Sequence, residues 1–467
     1  MFPHWQDWRA IFENCQNPFQ SILHAYLICQ EHEQDLIVQH KLNPALNEQF
    51  EERSKAYYAR LITTNGKAPG HTLVANTFEG SLINVAAFLW ASSKYVRLKQ
   101  LSHWPSQPII LAPSQKFPQD RYLMALVSNL IATAGPRVPK TNDQLACSVD
   151  RYLRGIRFTP LSASKQQVRV DHRTIPHATM EGLHQLKAAK DLRVEIGHLG
   201  DSAILEMGTA PGFSNQAARI FVKGIQNEQE EIDRLTSLLK TCAASQVHIL
   251  VLPELRVSPA MRAVIQEFLR SQPTDSVLHG RALLLVAAGS WHVAEHPAYR
   301  NECVLFDARG TEVWVHNKLD GFENLSDDSR ECHPFGSDPQ KEFVEFNLPG
   351  CVLEFSDTPI GRISVAICLG FFSKRASEAL SFIQAELILV PAMSKSTRPM
   401  KSLASEILVR QGAATFLANC GVKGKGEIGS SFYQLPWVNR RPKLPENGRL
   451  LFDLKNSSMK RPIHPYL

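Results

Sequence analysis

Apolar and polar positions alternate in two different ways along this chain. Up to about residue 135 the spacing is helical. Leu82, Val85, Ala86 and Leu89 fall on one face within 78–98, and 119–134 has the same period until Gly135-Pro136 stops it. From about residue 215 strands and helices alternate. Residues 217–225 predict a strand, and 227–244 an amphipathic helix with Ile232, Leu235, Leu238, Leu239 and Cys242 on one stripe. Segments 247–254 (VHILVLPE) and 282–291 (ALLLVAAGSW) are near-continuous apolar runs of the kind buried on both faces of a sheet. Ser258-Pro259 opens a helix between them, with a good N-cap and a proline at its first position. Residues 303–318 and 352–368 read as hairpins, the first turning at Ala308-Arg309-Gly310. Two helix–strand units, 377–392 and 401–420, close the set.

Between these regions the composition shifts. From 137 to 173, Arg137, Lys140, Arg151, Arg154, Arg157, Lys165, Arg169 and Arg173 face only Asp143, Asp150 and Asp171. A solvated linker explains this, and contact with nucleic acid or another partner is the sharper reading. The layout expected is a mainly helical domain over 1–135, a basic linker or subdomain over 136–210, and an α/β domain over 211–467.

Bulk properties narrow the setting. A chain of 467 residues exceeds what one core usually supports. With 44% hydrophobic and 21% charged residues and a formal charge of +6, it reads as an ordinary globular protein, mildly basic. No apolar run approaches the roughly 18 residues that span a bilayer, so no membrane association is expected. The opening residues lack the pattern of a secretory signal. Nine cysteines are dispersed with no CxxC pair, which points to reduced thiols, a cytoplasmic location and no metal.

Three reactive side chains stand where apolar strands end: Glu254 after ILVLP, Lys318 after VWVHN and Cys368 after RISVAI. Strand ends collect functional groups, because the sheet fixes the backbone while the loop leaves the side chain accessible. Alone, each has a plain structural explanation: a packed cysteine, a solvated lysine, a turn-capping glutamate. Together they make chemical sense. A thiol needs a base or a nearby cation to become thiolate. A carboxylate can take that proton and pass it to a departing amine. An ammonium can stabilise a tetrahedral oxyanion, together with a backbone N–H such as that of Leu369.

In these contexts the segment from about 215 to 455 resembles the nitrilase, or carbon–nitrogen hydrolase, superfamily. LVLPEL, VHNKLDGF and GRISVAIC match the surroundings of that family's Glu, Lys and Cys. GSW before YRNECVLFDARG, then AELILVPAMS and VRQGAATFLANCG, match lesser landmarks. The resemblance implies a four-layer α-β-β-α sandwich, with Glu254 as general base, Lys318 as oxyanion stabiliser and Cys368 as nucleophile. It implies no cofactor, a small-molecule amide or nitrile substrate, and a homo-oligomer. Family members often carry a second glutamate between the Lys and the Cys. Glu331 is the expected candidate and Glu323 the alternative.

The chain departs from the family pattern after the nucleophile. Leu369-Gly370-Phe371-Phe372 replaces the usual aromatic or acidic residue followed by Asp and then Arg, and Asn317 stands where a basic residue is frequent. Gly370 and the two phenylalanines therefore predict an apolar pocket wall, or simple packing under a helix. The expected activity is hydrolysis of an amide, nitrile or carbamoyl bond through an acyl-cysteine. Acyl transfer to an amine would use the same residues. A non-catalytic assembly or sensing module, with the N-terminal region binding a partner, is the competing class.

Overall fold

In the computed structural model the apolar runs of the C-terminal half are strands buried along their length, as at Leu387–Ala392 and Ala414–Asn419. The structure describes residues 10–13, 15, 18–36, 44–64, 82–99, 109–111, 121–126, 153, 156–160, 168–199, 203–210, 218–321, 323–324, 343–394, 397–420, 431–435 and 450–454. The chain divides into two units, one of Met1–Ser128 with Thr133–Ser164, the other of Asn129–Ala132 with Lys165–Leu467. No helix among the described residues is long and apolar enough to cross a membrane.

The first unit contains α1 (Pro18–Glu31), α2 (Pro44–Thr63) and α3 (Leu82–Lys99), then β1 (Ile109–Leu111), β2 (Tyr122–Leu126) and β3 (Ile156–Pro160). Residues 82–89 of α3 are all buried, because α3 is the central helix of this core. Phe88 meets Phe12 and Tyr57 edge-on, and Tyr26 stacks on Phe158 at 5.1 Å. The helix expected over 119–134 is instead a strand at Tyr122–Leu126, paired antiparallel with β1 and β3. Residues 127–134 lie outside the described residues. A short apolar run fits either element, and neighbours on both sides decide it. The described part of the unit is three helices with a three-stranded sheet.

The second unit runs β4 (Arg169–His172), α4 (His177–Ala189), β5 (Arg193–Ile196), β6 (Leu205–Ala210), β7 (Ala218–Ile225), α5 (Glu228–Ala244), β8 (Ile249–Val251), α6 (Pro259–Arg270), α7 (Thr274–Leu278) and β9 (Leu285–Ala287). It continues with β10 (Trp291–Glu295), β11 (Ala298–Asp307), β12 (Glu312–Asn317), β13 (Glu323–Asn324), β14 (Phe343–Glu345), β15 (Val352–Thr358), β16 (Gly361–Val365), α8 (Leu369–Phe372) and α9 (Lys374–Ile383). Last come β17 (Leu387–Ala392), α10 (Arg398–Gln411), β18 (Ala414–Asn419), β19 (Phe432–Gln434) and β20 (Leu450–Asp453).

One sheet has the order β10-β11-β9-β8-β5-β20 with β12 on β11, and a second has β19-β18-β17-β16-β15-β4. They face each other where β5 and β8 meet β17 and β18. On the outer side of the first sheet, Leu235, Leu239 and Cys242 of α5 and Met261, Ile265 and Leu269 of α6 share a core with Leu250, Val286, Val304 and Phe306. Helices α9 and α10 pack on the second sheet. The unit is a layered mixed α/β structure, with a smaller third sheet, β13-β14-β7-β6, beside the first.

Within 136–210, the stretch expected to be a basic linker or subdomain, the described residues include folded elements. β4 pairs in parallel with β15, β5 pairs in parallel with β8, and β6 pairs with β7. The basic stretch is only partly described: Arg137, Lys140, Arg151, Arg154 and Lys165 lie outside the described residues. Of the rest, Arg157 is buried in β3, while Arg169 and Arg173 are exposed, Arg173 pairing with Asp171 at 2.9 Å.

Candidate active site

Three sheet ends converge within the second unit. Glu254 follows β8 in a tight turn. Its N–H donates to Ala392 O at the end of β17 (3.3 Å), while Leu255 N–H donates to Ser290 Oγ (3.2 Å). The turn forces Leu255 to φ +53°. It also needs Gly289, where a Cβ would lie 2.3 Å from Pro253 O. Lys318 lies one residue past β12, its N–H on Asn301 O and its carbonyl accepting from Gly350 N–H, both at 2.8 Å. Cys368 lies past β16, held by its N–H on Pro391 O at 2.8 Å and adopting φ +43°, ψ −114°. That positive φ on a cysteine is strain of the kind stored at functional sites.

The side chains form one buried network. Lys318 Nζ donates to Glu254 Oε1 at 2.9 Å and to Glu345 Oε2 at 2.7 Å. Asn301 Nδ2 donates to Glu254 Oε1 at 3.0 Å and to Glu345 Oε1 at 2.7 Å. Met393 N–H donates to Glu254 Oε2 at 3.1 Å, so both oxygens of this carboxylate are held. The Cys368 thiol lies 4.0 Å from Met393 O and within electrostatic reach of the Glu254 and Lys318 charges.

Electrostatics follow from this packing. Burial pushes the Cys368 thiol well above the usual cysteine range; the Glu254 charge adds to the rise, and Lys318 opposes it. Burial disfavours the Lys318 ammonium, yet the two carboxylates hold it well above the ordinary lysine value. For Glu345, burial acts upward, but Lys318 and the His292 hydrogen bond keep the carboxyl far below the usual range. At rest the site therefore holds an ammonium between carboxylates beside a neutral thiol.

Glu254, Lys318 and Cys368, the three residues expected from the sequence, are thus brought together. Leu369 N–H, at the first position of α8, is among the N–H groups a helix leaves without an internal partner. Glu331 lies outside the described residues. Glu323 is described only in its backbone, which pairs with Val344 in β13–β14. The second glutamate in contact with the lysine is Glu345, which the sequence reading passed over. It ends a short strand, as Glu254 and Lys318 nearly do, and that rule would have found it. The two phenylalanines after Gly370 differ in burial: Phe371 is buried, whereas Phe372 is 47% exposed. Gly370 abuts the lysine segment, where a Cβ would lie 3.4 Å from Leu319 N. Among the described residues no group of three or more His, Cys, Asp or Glu has the geometry to hold a metal ion.

No protein-family model matches the chain, and no curated protein matches it. Among solved structures, the chain is similar to members of the nitrilase superfamily. One is an amidase from Nesterenkonia AN1, at 16% identity over 57% of this chain and 91% of that one, with a TM-score of 0.37. Another is Nit3 of Saccharomyces cerevisiae, a branch 10 member, at 15% identity over 56% and 90%, with a TM-score of 0.36. The NitFhit protein of C. elegans is similar at 15% identity over 57% of this chain and 61% of that one, with a TM-score of 0.39.

Proposed function

We propose that the second unit is a thiol hydrolase that cleaves a non-peptide carbon–nitrogen bond through a covalent acyl-cysteine, with Cys368 as nucleophile. The observation that carries this reading is the Glu254 carboxylate. One of its oxygens is fixed by Lys318 and Asn301 and the other by Met393 N–H, and its charge acts on a buried thiol on a strained backbone.

The chemistry follows from these contacts. Glu254 takes the thiol proton as Sγ attacks the substrate carbon, so the raised thiol ionises only as the bond forms. The developing oxyanion is met by the Lys318 ammonium and Leu369 N–H. Glu254 then delivers its proton to the departing nitrogen, which leaves as the amine, or as ammonia from a primary amide. In the second half Glu254 takes a proton from water, whose oxygen attacks the thioester. The acid leaves and Cys368 regains its proton. Glu345 and Asn301 hold the lysine and the base in register.

The test uses wild type and Cys368→Ala with a panel of small amides and nitriles, read by turnover and intact mass. Turnover with an acyl adduct on Cys368, both absent in Cys368→Ala, supports the proposal. Ligand-induced stabilisation with neither turnover nor adduct sinks it in favour of a non-catalytic sensing module.

A further inference from the structure

His292 is buried in β10, its side chain 2% exposed, and the chemistry above makes no use of it. Its ring has two polar contacts. Val222 N–H in β7 donates to Nδ1 at 2.8 Å, and Nε2 meets Glu345 Oε1 at 3.0 Å. With Nδ1 committed as an acceptor, the ring proton is on Nε2 and is donated to Glu345. Glu345 Oε1 thus receives two N–H donors, from His292 and Asn301, and Oε2 faces the lysine. The support is built from two sheets. β10 belongs to the first, while β7 and β14 are parallel neighbours in the third, with Glu345 opposite Ile220. The strand that fixes the imidazole is therefore also the one that holds the backbone of the glutamate.

We propose that His292 is a positioning residue that fixes the orientation of Glu345 and, through it, the place of the Lys318 ammonium between two carboxylates. This rests on the reading of Glu254, Lys318 and Cys368 as the reactive centre. Without the Nε2 donor, Glu345 keeps Asn301 and Lys318 but loses the contact that fixes Oε1 from the β10 side, and the ammonium shifts toward Glu254, away from where the oxyanion forms. Groups that orient a site from behind act in this way, and their loss typically lowers activity about 10–100-fold. The groups facing Glu345 are Lys318 after β12, His292 from β10 and Asn301 from β11, with Glu254 and Cys368 beyond the lysine. The His292 hydrogen bond helps to keep Glu345 ionised. Its removal raises the pH at which Glu345 takes a proton.

The experiment compares full-length wild type, His292→Asn and His292→Gln. Asn keeps an acceptor near Nδ1 but has nothing at Nε2, whereas Gln places an N–H donor near Nε2. With an amide or nitrile turned over by wild type, His292→Asn is expected to lose about 10–100-fold in kcat with KM little changed. Its acid limb should move to higher pH, and His292→Gln should recover most of both. A folded His292→Asn with unchanged kcat and acid limb overturns the proposal. So do equal losses in both variants with no shift of the acid limb. If only His292→Gln folds, an acid limb displaced in it overturns the proposal too. If wild type turns over nothing, the triad reading has failed and the thermal midpoint against pH decides His292 alone. The stability gap between wild type and His292→Asn should then be present at neutral pH and narrow as pH falls below about 4.3, with His292→Gln tracking wild type, and coincident curves overturn the inference.

Discussion

A buried ammonium shared between two carboxylates has consequences that can be measured one residue at a time. Lys318→Met leaves Glu254 and Glu345 facing each other without the cation that joins them. Breaking a buried pair in this way costs about 3–5 kcal/mol, read as a lower denaturant midpoint at neutral pH. The pH dependence follows from Glu345. Its folded value is depressed, so its contribution is present above the unfolded glutamate value, about 4.3, and is lost as pH falls through the folded value. In Lys318→Met Glu345 binds a proton more readily, and the gap to wild type should narrow toward acid pH; a constant gap would count against the network. Cys368 gives a second measurement. Burial first and Glu254 second favour the neutral thiol. Alkylation by iodoacetamide, followed at the Cys368 peptide, should therefore rise through a midpoint above the free thiol value of about 8.5. Glu254→Gln should bring that midpoint down. At this scale Glu254, Lys318 and Cys368 were legible because each closes an apolar run. Glu345 and His292 were not. Glu345 ends a three-residue strand after a charged stretch, and the role of His292 depends on a backbone amide 70 residues away.

Elements are tied to the site by buried charge as well as by apolar packing. Glu231 in the first turn of α5 is fully buried and pairs with the equally buried Arg256, two residues past Glu254. Arg234 also reaches Glu231, at 2.7 Å, and Cys420 at the end of β18 meets Arg256. The pair thus fastens α5 to the turn that presents the proposed base. Glu231→Gln strands a buried guanidinium and should cost about 3–5 kcal/mol. The double change Glu231→Leu with Arg256→Met should recover most of it, because well-packed apolar groups replace a buried pair at little net cost. Denaturant unfolding of wild type and the two variants checks both statements. Element type was readable wherever the pattern was long: the stripe of α5, the hairpins β11–β12 and β15–β16, and the Ser258 cap, whose Oγ accepts from Met261 N–H at 3.3 Å. It failed at Tyr122–Leu126, where five apolar residues carry no period of their own and pairing with β1 and β3 sets the conformation.

The boundary of the second unit was the least legible feature of the whole molecule, and the reason is physical. β4 and β5 are four residues each and read as RVDH and RVEI, so their charged residues hide two strands that matter to both sheets. β5 lies between β8 and β20, parallel to one and antiparallel to the other. Val194 and Ile196 are buried within this sheet. β4 forms the edge of the second sheet beside β15, whose hairpin partner β16 leads to Cys368. α4 between them is anchored by Thr179, whose Oγ1 lies 3.3 Å from Asp307 Oδ2 at the end of β11. A chain starting at residue 211 lacks all three elements. It would separate β20 from the first sheet, leave the backbone of β8 unpaired on one side and expose β15 as a bare edge. Such a fragment is expected to aggregate or to melt without a cooperative transition. A fragment starting at residue 165 keeps every strand of both sheets and should unfold cooperatively with the Cys368 alkylation profile of the full chain. Circular dichroism melts of the two fragments, with alkylation of the one that folds, decide this. Cooperative folding from residue 211 would show that β4 and β5 are appended to the second unit rather than built into it.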